Sequence, residues 1–447
     1  MSPSLDPSTS AVPGVSREVV GTSTQGRPIH VHRIGAGQSG ARVLLVGGQH
    51  GDESLARAAV RGFVRQMRAA TTTAGIQLAA IADMNPDGRA ARTRVNAAGI
   101  DLNRDHQRLR AVETRLLHQL VRSWRPDLIV DVHTYPPRRK YLLRQGWAYC
   151  HDVFLDVPTN PSVPAGVAGE PLLAGMNRVL ARLRQEEFLA DRYVLLRRSG
   201  RVRHSTADVV DARNQFALRY GIPVFLVEGK QPPRRSTAAT RRRTRRAMIR
   251  ALKHIVDWSA TRGTDSGAQL PAQPAEGLVA LHCRYQDAAD PARILFEEVD
   301  SGRLCEVSPP GRYTPALRVT RRTQLPAAYA VPKALQTLRE LLAAHGFRHQ
   351  PVLPDRTSPV PPRVQQYAIE SCVPSRRPNR PARKVKLATQ VYQASLKDHV
   401  IYPTDQTGGN CLAVLLEPNS KYGLARYADY GLSLQPGSHY PILRCEN

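Results

Sequence analysis

Four residues near the ends of three apolar runs have the right types to hold and use a divalent metal ion: His50, Glu53, His133 and Glu228. His50 and Glu53 close "LLVGGQHGDES" (Leu44 to Ser54), His133 closes "DLIVDVH", and Glu228 lies in "FLVEG". In an open α/β sheet, ligands bind outside the carboxyl ends of strands. Two imidazoles and a carboxylate make a three-ligand zinc site with one open position for water. A further carboxylate, Glu228, could take a proton from that water and return it to a leaving nitrogen. Each signal alone is weak. An H-x-x-E pair recurs by chance, and Glu53 opens a helix, where a carboxylate is favoured anyway. A strand-end histidine is usually structural. Glu228 is harder to explain away, because a carboxylate in an apolar strand is costly without a partner.

The elements around these residues alternate. Residues 17–35 read as a hairpin around a Gln-Gly turn. "RVLLVGG" is a strand, and 53–70 has helical periodicity. "IQLAAIADMNP" is a strand ending at a Pro-Asp-Gly turn, and Glu113 to Trp124 is a helix. "DLIVDVH" is apolar enough for a sheet covered on both faces. Residues 170–190 read as helical, "GIPVFLVEG" as another central strand, and Ser236 to Trp258 as a long basic helix. The fold class is therefore α/β, a mixed central β-sheet with helices on both faces, plus a smaller β-rich C-terminal region. The domain reading is a flexible lead-in at 1–16, a catalytic domain at 17–260, a linker at 261–275 and an extension at 276–447. That extension has one helix at 331–346 and a Pro/Arg-rich connector at 351–385. Its last stretch, with "KVKLATQVYQ", "CLAVLLEP" and "YPILRC", looks β-rich.

Bulk properties narrow the function. Hydrophobic residues make up 41% of the 447, enough for a real core and against wholesale disorder. The net charge of +27 admits a nucleic-acid partner, an anionic surface or an acidic substrate. Eight arginines lie between Arg234 and Arg250, and Arg242, Arg245, Arg246 and Arg250 would share one helix face. The plainer reading is a solvated outer face, so nucleic acid is not the expected partner. The six cysteines form no CxxC pair, which argues against a thiolate zinc cluster, and one or two disulfides stay open. No apolar run is long enough to span a membrane. The first residues lack a basic n-region and an apolar h-region, so the chain reads as cytoplasmic; a trimmed leader would make it periplasmic or secreted.

The stretch "MNPDGRAARTRVNAAGIDLNRDH" (84–106) changes the odds for the four chemical residues. With H-x-x-E, N-P-D-G, R-x-N-x-x-G-I-D-L-N-R, D-x-H and a strand-borne E-G in this order, residues 17–258 resemble the zinc metallocarboxypeptidases, the carboxypeptidase A-like M14 family. The tail from 270 is similar to the C-terminal extension of some bacterial members, through "AYAVP", "AAHG" and "LLEPNSKYGL". The resemblance implies one zinc per chain held by His50, Glu53 and His133, with Asp101 accepting the free N–H of His50. It implies Glu228 as the general base and Arg94 as the cation that holds the oxyanion. It implies Asn103 and Arg104 as the clamp for a substrate's terminal carboxylate, a task that suits the planar guanidinium fork. The family's mobile capping tyrosine, some twenty residues before the catalytic glutamate, has no counterpart in "GRVRHSTADVVDARNQFALRYG" before Tyr220. His204, Arg203 or Ser205 replaces it, or the cap is absent. Counting back from Glu228 puts Asp211 and Arg213 near the side-chain pocket. Arg213 would favour an acidic terminal residue and Asp211 a basic one; both also fit as exposed helix residues.

Three functions remain open on this basis. The favoured one is a metallopeptidase, a carboxypeptidase hydrolysing the C-terminal amide bond of a peptide, including a cell-wall-type peptide. The second is a zinc deacylase of a small N-acyl amino acid, in the style of succinylglutamate desuccinylase or aspartoacylase. The third is a basic nucleic-acid-binding protein. The intact N-P-D-G and R-x-N-x-x-G-I-D-L-N-R motifs favour the first.

Overall fold

The runs Val43–Val46, Leu128–Val132 and Val224–Val227 are apolar at nearly every position, and all are buried. Such runs suit strands covered on both faces. They lie side by side and parallel at the middle of an eight-stranded sheet, in a computed structural model of the chain. It describes residues 14–35, 39–69, 75–196, 201–204, 206–231, 233, 236–262, 277–309, 311–351, 363–373 and 384–446. The sheet order is Val15–Thr22, Pro28–Ile34, Gly75–Ile81, Gly40–Gly47, Leu128–Tyr135, Val224–Lys230, Val153–Asp156, Ala190–Arg192. The first two strands form the expected hairpin, and Val153–Asp156 runs antiparallel to Val224–Lys230, so the sheet is mixed.

Alternation along the strands divides the core into two layers. Val43, Leu45, Val130, Val132, Phe225 and Val227 face the helices Ser54–Ala69, Glu170–Gln185 and Ala238–Arg262. Leu44, Val46, Ile129 and Val224 face the other way, against the helices Val112–Trp124 and Ala212–Tyr220. This second layer also holds Leu338, Leu341 and Leu342 from the helix Gln336–Ala344, and Cys411 to Leu416 from the helix Gly409–Leu416.

The C-terminal half is therefore not a separate extension. It completes the second layer of the same core. A strand from each half also joins one small sheet, with Trp147–Tyr149 pairing Ile294–Glu298. "CLAVLL" is not a strand as its β-like composition suggested. All eight residues of Gly409–Leu416 are buried in a helix, and a short apolar run cannot distinguish a buried strand from a buried helix. The remaining C-terminal strands form a pair, Leu278–Gln286 with Ala316–Gln324, and a six-stranded sheet. The connector expected over 351–385 is interrupted by the strand Arg363–Val373 of that sheet. Of the expected linker, 263–275 lies outside the described residues, as do 1–13 of the lead-in; 261 and 262 still belong to the long helix. All six cysteines are unpaired. Among the described residues, no helix is long and apolar enough to cross a membrane.

Candidate metal centre

The loop after Gly40–Gly47 carries His50 and Glu53, and glycine makes its position possible. A Cβ on Gly51 would lie 2.0 Å from the backbone carbon of Gly88, so the loop can nest on the N-P-D-G segment only without a side chain. That segment is a helix start, Pro86–Ala91, rather than the expected simple turn. Asn85 caps it, accepting from Gly88 N at 2.8 Å, while its Nδ2 donates to Gln49 O at 3.2 Å. Asp87 accepts from Ser23 Oγ, Gln25 N and the Arg27 guanidinium, which pins the same segment to the N-terminal hairpin. The motif's work here is architectural: it sets where His50 and Arg94 stand.

His50, Glu53 and His133 come together as expected, all buried, with one ligand atom of each within 4.8 Å of the others. His50 Nδ1 is 2.7 Å from Glu53 Oε1, His133 Nδ1 is 3.1 Å from Glu53 Oε2, and the two Nδ1 atoms are 3.2 Å apart. Each Nε2 turns outward to a carboxylate, His50 to Asp101 at 3.1 Å and His133 to Asp131 at 2.9 Å. Such partners fix tautomer and ring orientation in metal sites. Asp101 was legible from the family motif. Asp131 stood in the D-x-H motif without a role assigned to it, although its i, i+2 spacing to His133 puts both on one strand face.

The charges answer one another. Burial works to raise Glu53, but His133 and His50 outweigh it and hold the carboxyl well below its ordinary range. Burial likewise opposes ionisation of Asp101, and His50 and Arg94 override it. Burial would lower His133, yet Asp131 and Glu53 carry it well above the usual imidazole value. Two nitrogens and a carboxylate converging on one point are the donor set of a zinc site with an open position, so the residues fit the metal.

Glu228 pairs in register with His133 on the adjacent parallel strand. Its Oε2 is enclosed and has no hydrogen-bond partner among the described residues. Burial, with Glu53 adding to it and His133 opposing, pushes its carboxyl up to about 7. Arg94 is exposed at the rim; its Nε donates to Asp101 Oδ2 at 2.9 Å and one terminal nitrogen lies 3.3 Å from His50 Nδ1. Arg104 is exposed, and one terminal nitrogen donates to Asn103 O at 2.6 Å. Asn103 is buried, with Oδ1 accepting from Ala212 N at 2.9 Å and Nδ2 3.0 Å from His133 Nε2.

The two pocket candidates are buried, not exposed. Asp211 caps the helix Ala212–Tyr220 by accepting from Asn214 N. Arg213 donates to Asp156 Oδ2 at 2.5 Å, so its charge is already met inside the protein. Neither is a free charge that would select a terminal side chain. For the missing cap, His204 bonds Tyr193 O and Tyr313 OH, and Arg203 lies over the Tyr285 ring, so both engage neighbouring structure. Ser205 is outside the described residues. A tyrosine earlier in the chain was missed: after burial, the largest influence on the Tyr193 phenol is Glu228. On the arginine-rich helix, Arg250 is paired with Glu186 and Arg243 with Asp152, while Arg242, Arg245 and Arg246 are exposed.

Residues 5–136 match the family model for zinc carboxypeptidases, peptidase M14. The match is a likeness of this part of the chain to zinc carboxypeptidases. Carboxypeptidase 2 of Trichophyton rubrum is 26% identical over 42% of this chain and 36% of its own length. A probable carboxypeptidase 2 of Arthroderma benhamiae is 26% identical over 28% of this chain and 25% of its own. The chain thus spans about a third or less of the length of these relatives. A metallo-carboxypeptidase structure from Burkholderia cenocepacia overlaps 55% of this chain and 66% of that one at 19% identity, with a TM-score of 0.41. His50, Glu53 and His133 fall within the matched stretch; Glu228 lies beyond it.

Proposed function

We propose that the protein is a zinc-dependent metallocarboxypeptidase that hydrolyses the C-terminal amide bond of a peptide. The carrying observation is the convergence of His50 Nδ1, His133 Nδ1 and Glu53 beside Glu228 on the next strand, whose Oε2 is enclosed and without a hydrogen-bond partner among the described residues. His50, Glu53 and His133 would hold a zinc ion, which would supply Lewis-acid chemistry toward a carbonyl and lower the pKa of a water proton. Glu228, pushed up to about 7, is matched to taking that proton and passing it to the leaving nitrogen. Arg94, anchored on Asp101, offers positive charge where negative charge develops on the carbonyl oxygen. Arg104 offers a guanidinium fork to the substrate's terminal carboxylate, and Asn103 holds its own loop against His133. The likeness to fungal carboxypeptidases supports the same reading.

The test is a matched pair of peptides, one with a free C-terminus and one amidated. A clamp built on Arg104 should cleave the free acid and leave the amide intact, because a neutral group cannot replace the charge-assisted partner. Glu228→Gln should retain zinc and lose about 100- to 10,000-fold in turnover. Equal cleavage of both peptides would sink the carboxypeptidase reading. Rapid deacylation of an N-acyl amino acid with no peptide cleavage would promote the deacylase instead.

A further inference from the structure

Behind the metal centre a line of buried polar side chains runs away from the substrate side, and nothing in the proposed reaction uses it. Asp131, which holds His133 Nε2, also accepts from Gln49 Nε2 at 2.7 Å. Gln49 Oε1 is 2.7 Å from His106 Nε2. His106 Nδ1 is 3.2 Å from His118 Nε2, and His118 Nδ1 is 2.8 Å from the Tyr220 hydroxyl. Asp131, Gln49, His106 and His118 are all buried.

The chemistry of the links permits one direction of donation. A carboxylate only accepts, so the Gln49 amide turns its NH2 to Asp131 and its carbonyl to His106. His106 must then carry its proton on Nε2. Burial keeps both His106 and His118 neutral, so His106 Nδ1 is a lone pair that His118 Nε2–H fills. His118 Nδ1 in turn accepts from the Tyr220 hydroxyl. Every donor in the line points toward Asp131.

We propose that Gln49, His106, His118 and Tyr220 are positioning residues for the metal centre. Their one-way donor chain keeps Asp131 an acceptor, and Asp131 keeps the His133 proton on Nε2, so the Nδ1 lone pair faces His50 and Glu53. The C-terminal half seals the far end. His345 is fully buried, packs edge-on against His118 with ring centroids 5.4 Å apart, and donates to Gln107 O at 2.9 Å. Its carbonyl also receives Arg219 Nε at 3.0 Å. Two longer contacts share these groups: the Tyr220 hydroxyl is 3.4 Å from His345 O against 2.8 Å to His118 Nδ1, and Asn103 Nδ2 is 3.0 Å from His133 Nε2 against 2.9 Å for Asp131.

The inference rests on the metal-centre reading, and the experiment separates the two. Zinc dissociation constants are measured by chelator competition for wild type, His106→Leu and His106→Gln, with thermal unfolding as a control for folding. Loss of an outer hydrogen-bond partner weakens metal binding by about 10- to 100-fold. His106→Leu should show that loss. His106→Gln, which can again present an N–H to Gln49 Oε1, should stay within about three-fold of wild type on the same reasoning. Nitrogen-15 NMR of the metal-free wild type should show His106 and His118 as neutral Nε2–H tautomers, a readout that needs no variant to fold. Unchanged zinc affinity in a folded His106→Leu, or an Nδ1–H tautomer at His118, overturns the chain. A wild type that takes up no zinc overturns the metal-centre reading itself.

Discussion

The two faces of the central sheet are covered in different ways. One is closed by three helices from the N-terminal half, and its layer is almost wholly apolar. The other is closed by helices from both halves, and it holds the polar line from Asp131 to Tyr220 and the three histidines His106, His118 and His345. His133 and Glu228 project from alternate positions on this second side, in step with Ile129 and Val224. The functional face is thus the one that the N-terminal half cannot finish alone. A chemical site needs polar groups placed in a dry interior, and a second layer of structure is what keeps them dry.

Cutting the chain after Arg262 tests this difference most severely. It strips the helices Gln336–Ala344 and Gly409–Leu416 from the second face, and the fragment should fail to give a cooperatively folded protein by circular dichroism and thermal unfolding. A folded fragment would show that the halves are independent after all. Within the full chain, Leu412→Ala on the second face and Leu252→Ala on the first both remove fully buried side chains. Each should cost about 2–5 kcal/mol and shift the same single unfolding transition. A separate early transition in Leu412→Ala alone would mean that the C-terminal half unfolds by itself.

Acid should distinguish the faces more gently. Burial lowers His106 from 6.5 to about 4 and His345 to about 3. A histidine whose folded-state pKa is depressed binds its proton more readily when unfolded. Its contribution is whole above about pH 6.5 and is lost as pH falls through the folded value, roughly 3 kcal/mol for His106 alone. Stability measured in urea should therefore drop between about pH 6.5 and pH 4, and His106→Gln should flatten part of that slope. An unchanged slope would mean that His106 is not held neutral. The smallest effect belongs to the solvated side: Arg242→Ala and Arg245→Ala, on the exposed part of the long helix, should stay within about 0.5 kcal/mol of wild type.

What the sequence made legible follows the same division. The parallel strands and alternating helices were readable because apolar runs and periodicity are local signals; His50, Glu53 and His133 were readable as strand-end residues of the right types, and Asp101 and Arg94 only through the resemblance carried by the 84–106 motif. The helix at 409–416 was misread because "CLAVLL" is buried all round and carries no period. The junction near 260–275 looked like a domain boundary, and composition cannot reveal that chain beyond it returns to cover the first sheet. Arg213 and Asp211 were placed near a pocket by counting, but the partner that neutralises Arg213, Asp156, lies 57 residues earlier. Gln49, His106 and His118 carried no motif. Their meaning comes only from contacts between residues far apart in sequence.

The central claim is that His50, Glu53 and His133 form one metal centre, and zinc content tests it most directly. Wild type and His133→Ala would be purified identically, dialysed against the same trace of zinc and measured by elemental analysis. One zinc per chain in wild type and a sharp loss in His133→Ala is the expected result, since removing one of three protein ligands opens the site to water. Full occupancy in a folded His133→Ala, or no zinc in wild type, would contradict it.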